Sequence, residues 1–251
     1  MELGDKNVAV KVELIRQIAA AYERLDRLDE AFANLRNADR LKRNDLLTTL
    51  AIGENRYRAG RWHEATLYLG KLADHPDAKK RAAEVARGLC HAAAAEIRSR
   101  RPKNAVEHFE AALRLKPDSE MALQALAEIL LEQGDTRSAA LLVERQGQAA
   151  ETVAEKVRLF EKAGDLHSGS DPDRARAAAA AYGLAVKEAD PLHAAHVPLL
   201  AKLLNAQEIA HDTTGAARTQ ELMASLDSDA EERTGHLRAA AQGFSVIADD
   251  Q

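Results

Sequence analysis

Three histidines toward the C-terminus, His193, His196 and His211, are the residues whose types and spacing come nearest to a metal site. Residues three apart on a helix share a face, so His193 and His196 could bind one zinc ion. The two straddle a predicted helix start before Pro198, however, and no nearby cysteine or suitably spaced carboxylate completes four ligands. We therefore expect surface or interhelical histidines, with no metal and no cofactor.

The single cysteine, Cys90, adjoins His91, and such residues can act as nucleophile and base. Adjacent residues on a helix do not face each other, so these two cannot form that pair. One cysteine also excludes an internal disulfide and a multi-cysteine metal site. The sequence contains no phosphate-cradling glycine loop, no Gly-x-Ser-x-Gly elbow and no His-Glu-x-x-His. We expect no catalytic residues, and hence a protein that is not an enzyme.

Two basic clusters, Lys79-Lys80-Arg81 and residues 98–103, could hold phosphates or an acidic partner. The whole chain is nevertheless acidic, with 35 basic against 40 acidic side chains and a formal charge of −5. No aromatic residues interleave with the basic ones, as stacking on nucleic-acid bases would require. Arginines at a helix end also stabilise the helix without any ligand. The sequence therefore predicts no nucleic-acid partner.

The composition predicts that helices position all of these residues. Hydrophobic residues make up 46% of the 251 residues and aromatic ones only 4%, while glycine (13) and proline (6) are scarce, which disfavours a strand-rich fold. No apolar run approaches the roughly 18 residues of a membrane span, and no signal-peptide core opens the chain. We therefore expect no membrane insertion, with the cytoplasm favoured unless the chain is a fragment. Abundant alanine and the excess of arginine over lysine are typical of a GC-rich bacterial genome.

Alanines recur in a constant pattern along the first 150 residues. Each is followed four residues later by a large apolar residue, in the pairs Ala31–Leu35, Ala65–Leu69, Ala105–Phe109 and Ala139–Val143. Successive alanines are 34, 40 and 34 residues apart, and a second small or apolar cluster begins sixteen residues before each. That constant offset is typical of two antiparallel helices joined by a short turn. Glycine at the predicted turns 58–61 and 132–135 supports this interpretation.

The pattern resembles the tetratricopeptide repeat family, whose unit has 34 residues. The second unit matches the family pattern best, at Ile52-Gly53, Ala65, Leu69 and Pro76. The third unit also matches it, at Ala105, Phe109 and Pro117. No unit has the leading tryptophan of the family, and the third carries six extra residues. The resemblance implies an all-α fold, a right-handed superhelix of stacked antiparallel helix pairs (an α-solenoid).

The predicted organisation is a single solenoid over residues 1–251. The repeats are clear over 12–45, 46–79, 80–119 and 120–150, looser over 151–191 and 192–228, and followed by a terminal helix over 229–248. That last helix is either a polar cap or a sign that the chain is one segment of a larger repeat protein.

By this resemblance, the first helices of the repeats line a concave groove that holds a peptide or a helix of a partner protein. We expect a non-enzymatic interaction module or scaffold. The groove candidates are first-helix residues that do not fit the apolar packing pattern: Arg16, Glu23, Glu54, Arg58, Arg87, His91, Arg98, Gln124 and Glu128. Each could equally be solvated surface.

Some family members clamp a chaperone's C-terminal carboxylate with a lysine and an asparagine one turn apart on the first helix. Arg16 and Ala20 occupy the comparable place here, so a chaperone-tail receptor is disfavoured. Mixed charge among the candidates favours a mixed-charge or helical partner. The alternative is a structural scaffold that self-associates or assembles with other domains.

Overall fold

The computed structural model describes residues 2–189, 197–227 and 229–249, and all regular secondary structure within these ranges is helical. The α-helices are α1 (Glu2–Arg24), α2 (Leu28–Leu41), α3 (Leu46–Arg58), α4 (Trp62–Leu69), α5 (Ala82–Arg98), α6 (Pro102–Leu115), α7 (Glu120–Glu132), α8 (Thr136–Ala149), α9 (Val153–His167), α10 (Pro172–Glu188), α11 (Val197–Ile209), α12 (Thr213–Leu226) and α13 (Ala230–Asp249). Two short 3-10 helices, Leu72–Asp74 and Ala78–Arg81, precede α5. The predicted all-α class is confirmed.

The helices form two compact units, one ending at Ala125 and the other beginning at Leu126. In the first unit, α1 packs on α2, α3 on α4 and α5 on α6. The first helices of these pairs also contact one another, α1 with α3 and α3 with α5. In the second unit, each of α8 to α12 contacts the helix that follows it, up to α13.

Small residues let the paired helices of the first unit approach closely. Ala65 on α4 and Ala105 on α6 are completely buried. On α3, a Cβ built at Gly53 would lie 2.4 Å from the Leu69 side chain, far inside van der Waals contact. Only a residue without a side chain lets α3 and α4 keep this spacing. Large apolar residues such as Ile52 and Leu69 fill the space beside these contacts and are fully buried.

Five of the turns share one backbone conformation. The second residue after α1, α3, α5, α7 and α11 has a positive φ, at Asp26, Gly60, Arg100, Gly134 and His211. In each turn, the amide of the next residue donates to the carbonyl five positions earlier, as Arg61 N does to Arg56 O at 2.9 Å and Arg101 N to Glu96 O at 2.8 Å. This is the Schellman arrangement that ends many helices. Only two of the five positions hold glycine, so glycine in the sequence indicates only two of these five turns.

A buried polar network joins the first two helix pairs. Asn55 on α3 donates through its Nδ2 to Glu23 Oε1 at 2.9 Å and to the Leu28 carbonyl at 3.1 Å. The Arg56 guanidinium is buried, lies 3.8 Å from the centre of the Phe32 ring, and donates to Asn55 Oδ1. These bonds satisfy polar groups that would be costly to bury alone. They also fix α3 against the turn between α1 and α2.

In the second unit, an N-cap and a proline begin α10. Asp171 accepts from the amides of Asp173 and Arg174, and Pro172 is the first helical residue. Nearby, the Tyr182 hydroxyl donates to Asp165 at 2.8 Å and bonds with Ser168 at 2.9 Å. These contacts anchor α10 to the end of α9.

The structure also bears on the predictions about metal binding and membrane insertion. His193 and His196 lie outside the described residues, and His211 is exposed in its turn. Among the residues that the structure describes, no three His, Cys, Asp or Glu side chains are grouped as a metal site. Within the same ranges, no helix combines the length and the apolar character needed to cross a membrane.

The buried alanines predict a steric effect. Replacing Ala65 with leucine forces extra volume between α3 and α4, and we expect a loss of about 1–3 kcal/mol of unfolding free energy. His63→Leu is the matched control on the same helix, because His63 is exposed and should change stability by less than about 0.5 kcal/mol. Urea unfolding measures both. Equal stability of Ala65→Leu and the parent would contradict the proposed helix contact.

The shared turn conformation predicts that substitutions at two of the turns change stability in opposite directions. Arg100 has φ of 59°, a region that costs a residue with a side chain about 1–2 kcal/mol, so Arg100→Gly should raise stability by up to about 1 kcal/mol. Gly60, with φ of 69°, should lose a similar amount when replaced by alanine. Urea midpoints test both variants. A destabilised Arg100→Gly would show that the arginine side chain has another structural role.

Candidate partner-binding surface

Seven of the nine candidate groove residues lie on the first helices of the first unit. Arg16 and Glu23 are on α1, Glu54 and Arg58 on α3, and Arg87, His91 and Arg98 on α5. We call the side of α1, α3 and α5 that carries these seven residues the first-helix surface. Gln124 and Glu128 are exposed and share a face of α7, where the first unit ends after Ala125.

Acidic residues on this surface pair with arginines of the next helix pair. Glu23 Oε2 accepts from Arg58 NH1 at 3.0 Å, and Glu54 Oε1 accepts from Arg87 Nε at 3.1 Å. The partners are 35 and 33 residues apart in sequence, close to one repeat length. The charges predicted to meet a ligand therefore also bind one another. Because one partner in each pair is at least half exposed, these bonds orient side chains more than they stabilise the fold.

Arg16 has a different position. It lies 2.8 Å from Asp45 Oδ2 and also contacts Glu13. Asp45 caps α3 by accepting from the Thr48 amide. Burial would raise the pKa of Asp45, but hydrogen bonds from Lys42 and Thr48 outweigh it and lower the pKa below the usual value. Arg16 is thus held at the start of α3, apart from the Glu23–Arg58 pair.

An aromatic cluster borders the second ion pair, and the sequence analysis missed it. The Tyr57 ring stacks on His91 with 4.7 Å between centroids, and the Trp62 ring meets Tyr57 edge-on at 5.3 Å. The Arg98 guanidinium lies 5.7 Å from the centre of the Trp62 ring. Tyr57 stands three residues after Glu54, a same-face spacing that could have signalled it. The cluster gives the surface a flat, partly exposed apolar area.

His91 is partly buried beside Glu54 and two arginines. Burial lowers its pKa most strongly, and the nearby Arg87 and Arg58 charges lower it further, against the opposing effect of Glu54. Its Nδ1 is 3.9 Å from Glu54 Oε1, too far for a hydrogen bond, and has no other partner among the described residues. His91 Nδ1 is thus a buried polar atom beside the aromatic cluster, without a hydrogen bond to any described residue.

A cavity of about 330 Å³ continues the surface beyond Arg87. It is lined by Ala83, Glu84, Arg87, Cys90, Lys116, Ser119, Glu120 and Met121. Both signs of charge and one large apolar side chain, Met121, are therefore present. Burial raises the pKa of the Cys90 thiol, although a hydrogen bond with Ser119 acts the other way. Cys90 remains a packed thiol at neutral pH, in agreement with the non-nucleophilic interpretation.

The second unit has a cavity of similar size, about 320 Å³, beside Tyr182 and Lys202. Its charged group is already saturated: Lys202 Nζ donates to Glu161 Oε1 at 2.8 Å and to both Asp165 oxygens at 2.8 and 3.1 Å. These contacts raise the pKa of Lys202 despite the opposing effect of burial. With three hydrogen bonds, its ammonium group has no donor left for a ligand.

Comparison with known proteins identifies the repeat type. A sequence model described as "Tetratricopeptide repeat" matches residues 96–157, which include α6, α7 and α8. No curated protein sequence matches the chain. Similar solved structures include the MamA protein (16% identity, TM-score 0.49, covering 80% of this chain and 94% of that one).

Two further structures have the same degree of similarity. They are Pseudomonas aeruginosa pilF (14% identity, TM-score 0.49, covering 91% and 97%) and a tetratricopeptide repeat protein from Parabacteroides merdae (13% identity, TM-score 0.49, covering 92% and 99%). The sequence match agrees with the resemblance of the alanine pattern. Residues 96–157 of the chain are thus similar to the tetratricopeptide repeat family of helical-repeat proteins.

Proposed function

We propose that this protein is a non-enzymatic interaction module that binds a peptide or a helix of another protein on the first-helix surface. The family fold is in general an interaction scaffold. The observation that carries the proposal is the grouping around Arg87, which contacts Glu54, borders the aromatic cluster and lines the 330 Å³ cavity. A partner crossing α3 and α5 would meet all three features.

The proposed surface has its side chains oriented before a partner arrives. Glu54 holds Arg87 through Nε, so the terminal guanidinium nitrogens can donate to a partner carbonyl or carboxylate. Stacking of Tyr57 on His91 restricts both rings. Such preorganisation reduces the entropy lost on binding. We infer a partner segment with an acidic or carbonyl group near Arg87 and an apolar side chain over Trp62 or in the cavity.

The predicted repeat limits belong to the same proposal. Each pair from α1–α2 to α5–α6 would be one repeat, with Gln124 and Glu128 extending the candidate residues onto α7. Self-assembly as a scaffold is the second candidate function. It is favoured by exposed apolar residues on α1 and α13 rather than by the first-helix surface.

The proposed surface can be tested with a peptide-display library selected on the immobilised protein. Arg87→Glu combined with His91→Ala should weaken the selected peptides at least tenfold, as expected for the loss of charged hydrogen bonds worth about 1.5–3 kcal/mol. Calorimetry gives the dissociation constants. Arg114→Glu, on the exposed side of α6, introduces the same charge change outside the surface and should leave binding unchanged.

Unchanged dissociation constants for the Arg87 and His91 double variant would place binding elsewhere. Equal weakening by Arg114→Glu would show a general effect of charge. Circular dichroism of both variants separates loss of binding from loss of folding.

A further inference from the structure

Helix α1 has an apolar stripe on its exposed side. Val10, Leu14 and Ile18 on α1, and Leu25 directly after its last residue Arg24, are each between 49% and 68% exposed. Together with the exposed Ala21 they are spaced by four, four, three and four residues, which places them on one face. The opposite face of the helix buries Val12 and Ala19 in the first unit, so α1 is apolar on both sides. An exposed contiguous apolar face of this kind is typical of a docking site.

Helix α13 has a second stripe of the same kind. Leu237 and Phe244 are among the exposed large hydrophobic residues of the chain, at 49% and 36%. Ala230, Thr234 and Ala241 are exposed at intermediate positions of the same face, with spacings of four, three, four and three. The other side of α13 packs on α12, where Ala240 is buried. The outward face is therefore only partly covered within the described residues.

The two stripes fit each other in length. Each spans about 21–22 Å at the helical rise of 1.5 Å per residue. Laid antiparallel, Ile18 would meet Leu237, and Leu14 would meet the small Ala241. Further along, Val10 would lie beside Phe244. At the other end, Leu25 and Ala21 would meet Ala230 and Thr234. Leu14 and Leu25 would thus each face an alanine, whereas Ile18 and Val10 would each face a large apolar residue.

Charge complementarity also favours this pairing. In the antiparallel arrangement, the basic end of α1 at Arg24 lies next to the acidic start of α13 at Glu231 and Glu232, and all three are exposed. The residues up to 125 include 23 basic and 19 acidic side chains, whereas those from 126 onward include 12 and 21. The positive part of one copy would therefore attract the negative part of another, and two positive parts would repel.

We propose that copies of this chain associate head to tail, with the exposed face of α1 of one copy packed antiparallel on the exposed face of α13 of the next. This contact uses different surfaces on the two copies. Each bound copy still has one unused face, so assembly continues until a ring closes or the chain of copies ends. The proposal is independent of peptide binding on the first-helix surface, which involves other residues.

Two single variants each block one of the two stripes, and the two variants can be mixed. Leu14→Glu puts a charge in the α1 stripe, and Leu237→Glu does so in the α13 stripe. Measured by sedimentation over a wide concentration range, the parent should grow beyond a dimer from its 27.3 kDa monomer, and each variant alone should stay monomeric. An equimolar mixture of the two variants should form a complex of two chains, because each supplies the face that the other has lost.

Leu41→Glu is the matched control, since Leu41 is an exposed apolar residue on α2 outside both stripes, and it should assemble like the parent. Self-association of Leu237→Glu would indicate α1-to-α1 pairing and overturn the proposal. A parent that stays monomeric, or a mixture of variants that stays monomeric, would also overturn it. Circular dichroism checks folding, and Leu14→Ala with Leu237→Ala repeats the mixing test if a glutamate variant unfolds.

Discussion

Close contact between helix backbones is the constraint on which the rest of this structure depends. At Gly53 there is no space for a Cβ, because Leu69 of the facing helix occupies it. Ala65 and Ala105 are likewise enclosed completely. When paired helices approach this closely, the first helices of neighbouring pairs also touch. Ion pairs with nitrogen–oxygen distances near 3 Å, such as Glu23–Arg58, require that approach.

The repeated left-handed turn gives successive helix pairs the same local geometry. It returns the chain after α1, α3 and α5 with one hydrogen-bond pattern, whether the turn residue is Asp26, Gly60 or Arg100. Equivalent positions of neighbouring first helices consequently come together about one repeat length apart in sequence. Residues such as Asp26 and Arg100 accept an unfavourable φ because tertiary packing determines where the second helix must lie.

Two kinds of surface result, and they differ in chemistry. The first-helix surface combines paired charges with the stacked rings of Tyr57 and His91, and such a surface suits a polar segment with an apolar anchor. The exposed sides of α1 and α13 are apolar and long, which suits contact with another helix. No residue belongs to both kinds of surface, so the proposed partner binding and the proposed self-association would use different residues.

The sequence alone determined the helical class, the antiparallel pairing and the resemblance to a repeat family, because helical periodicity and small residues at fixed offsets report which face of each helix is buried. It also indicated which charged residues belong to the first helices. Only the tertiary structure decided that Glu54 binds Arg87, that the Tyr57 and Trp62 rings meet each other, and that Arg100 adopts a left-handed turn. Periodicity describes one helix at a time, whereas these features depend on the distance and orientation between helices, which packing sets.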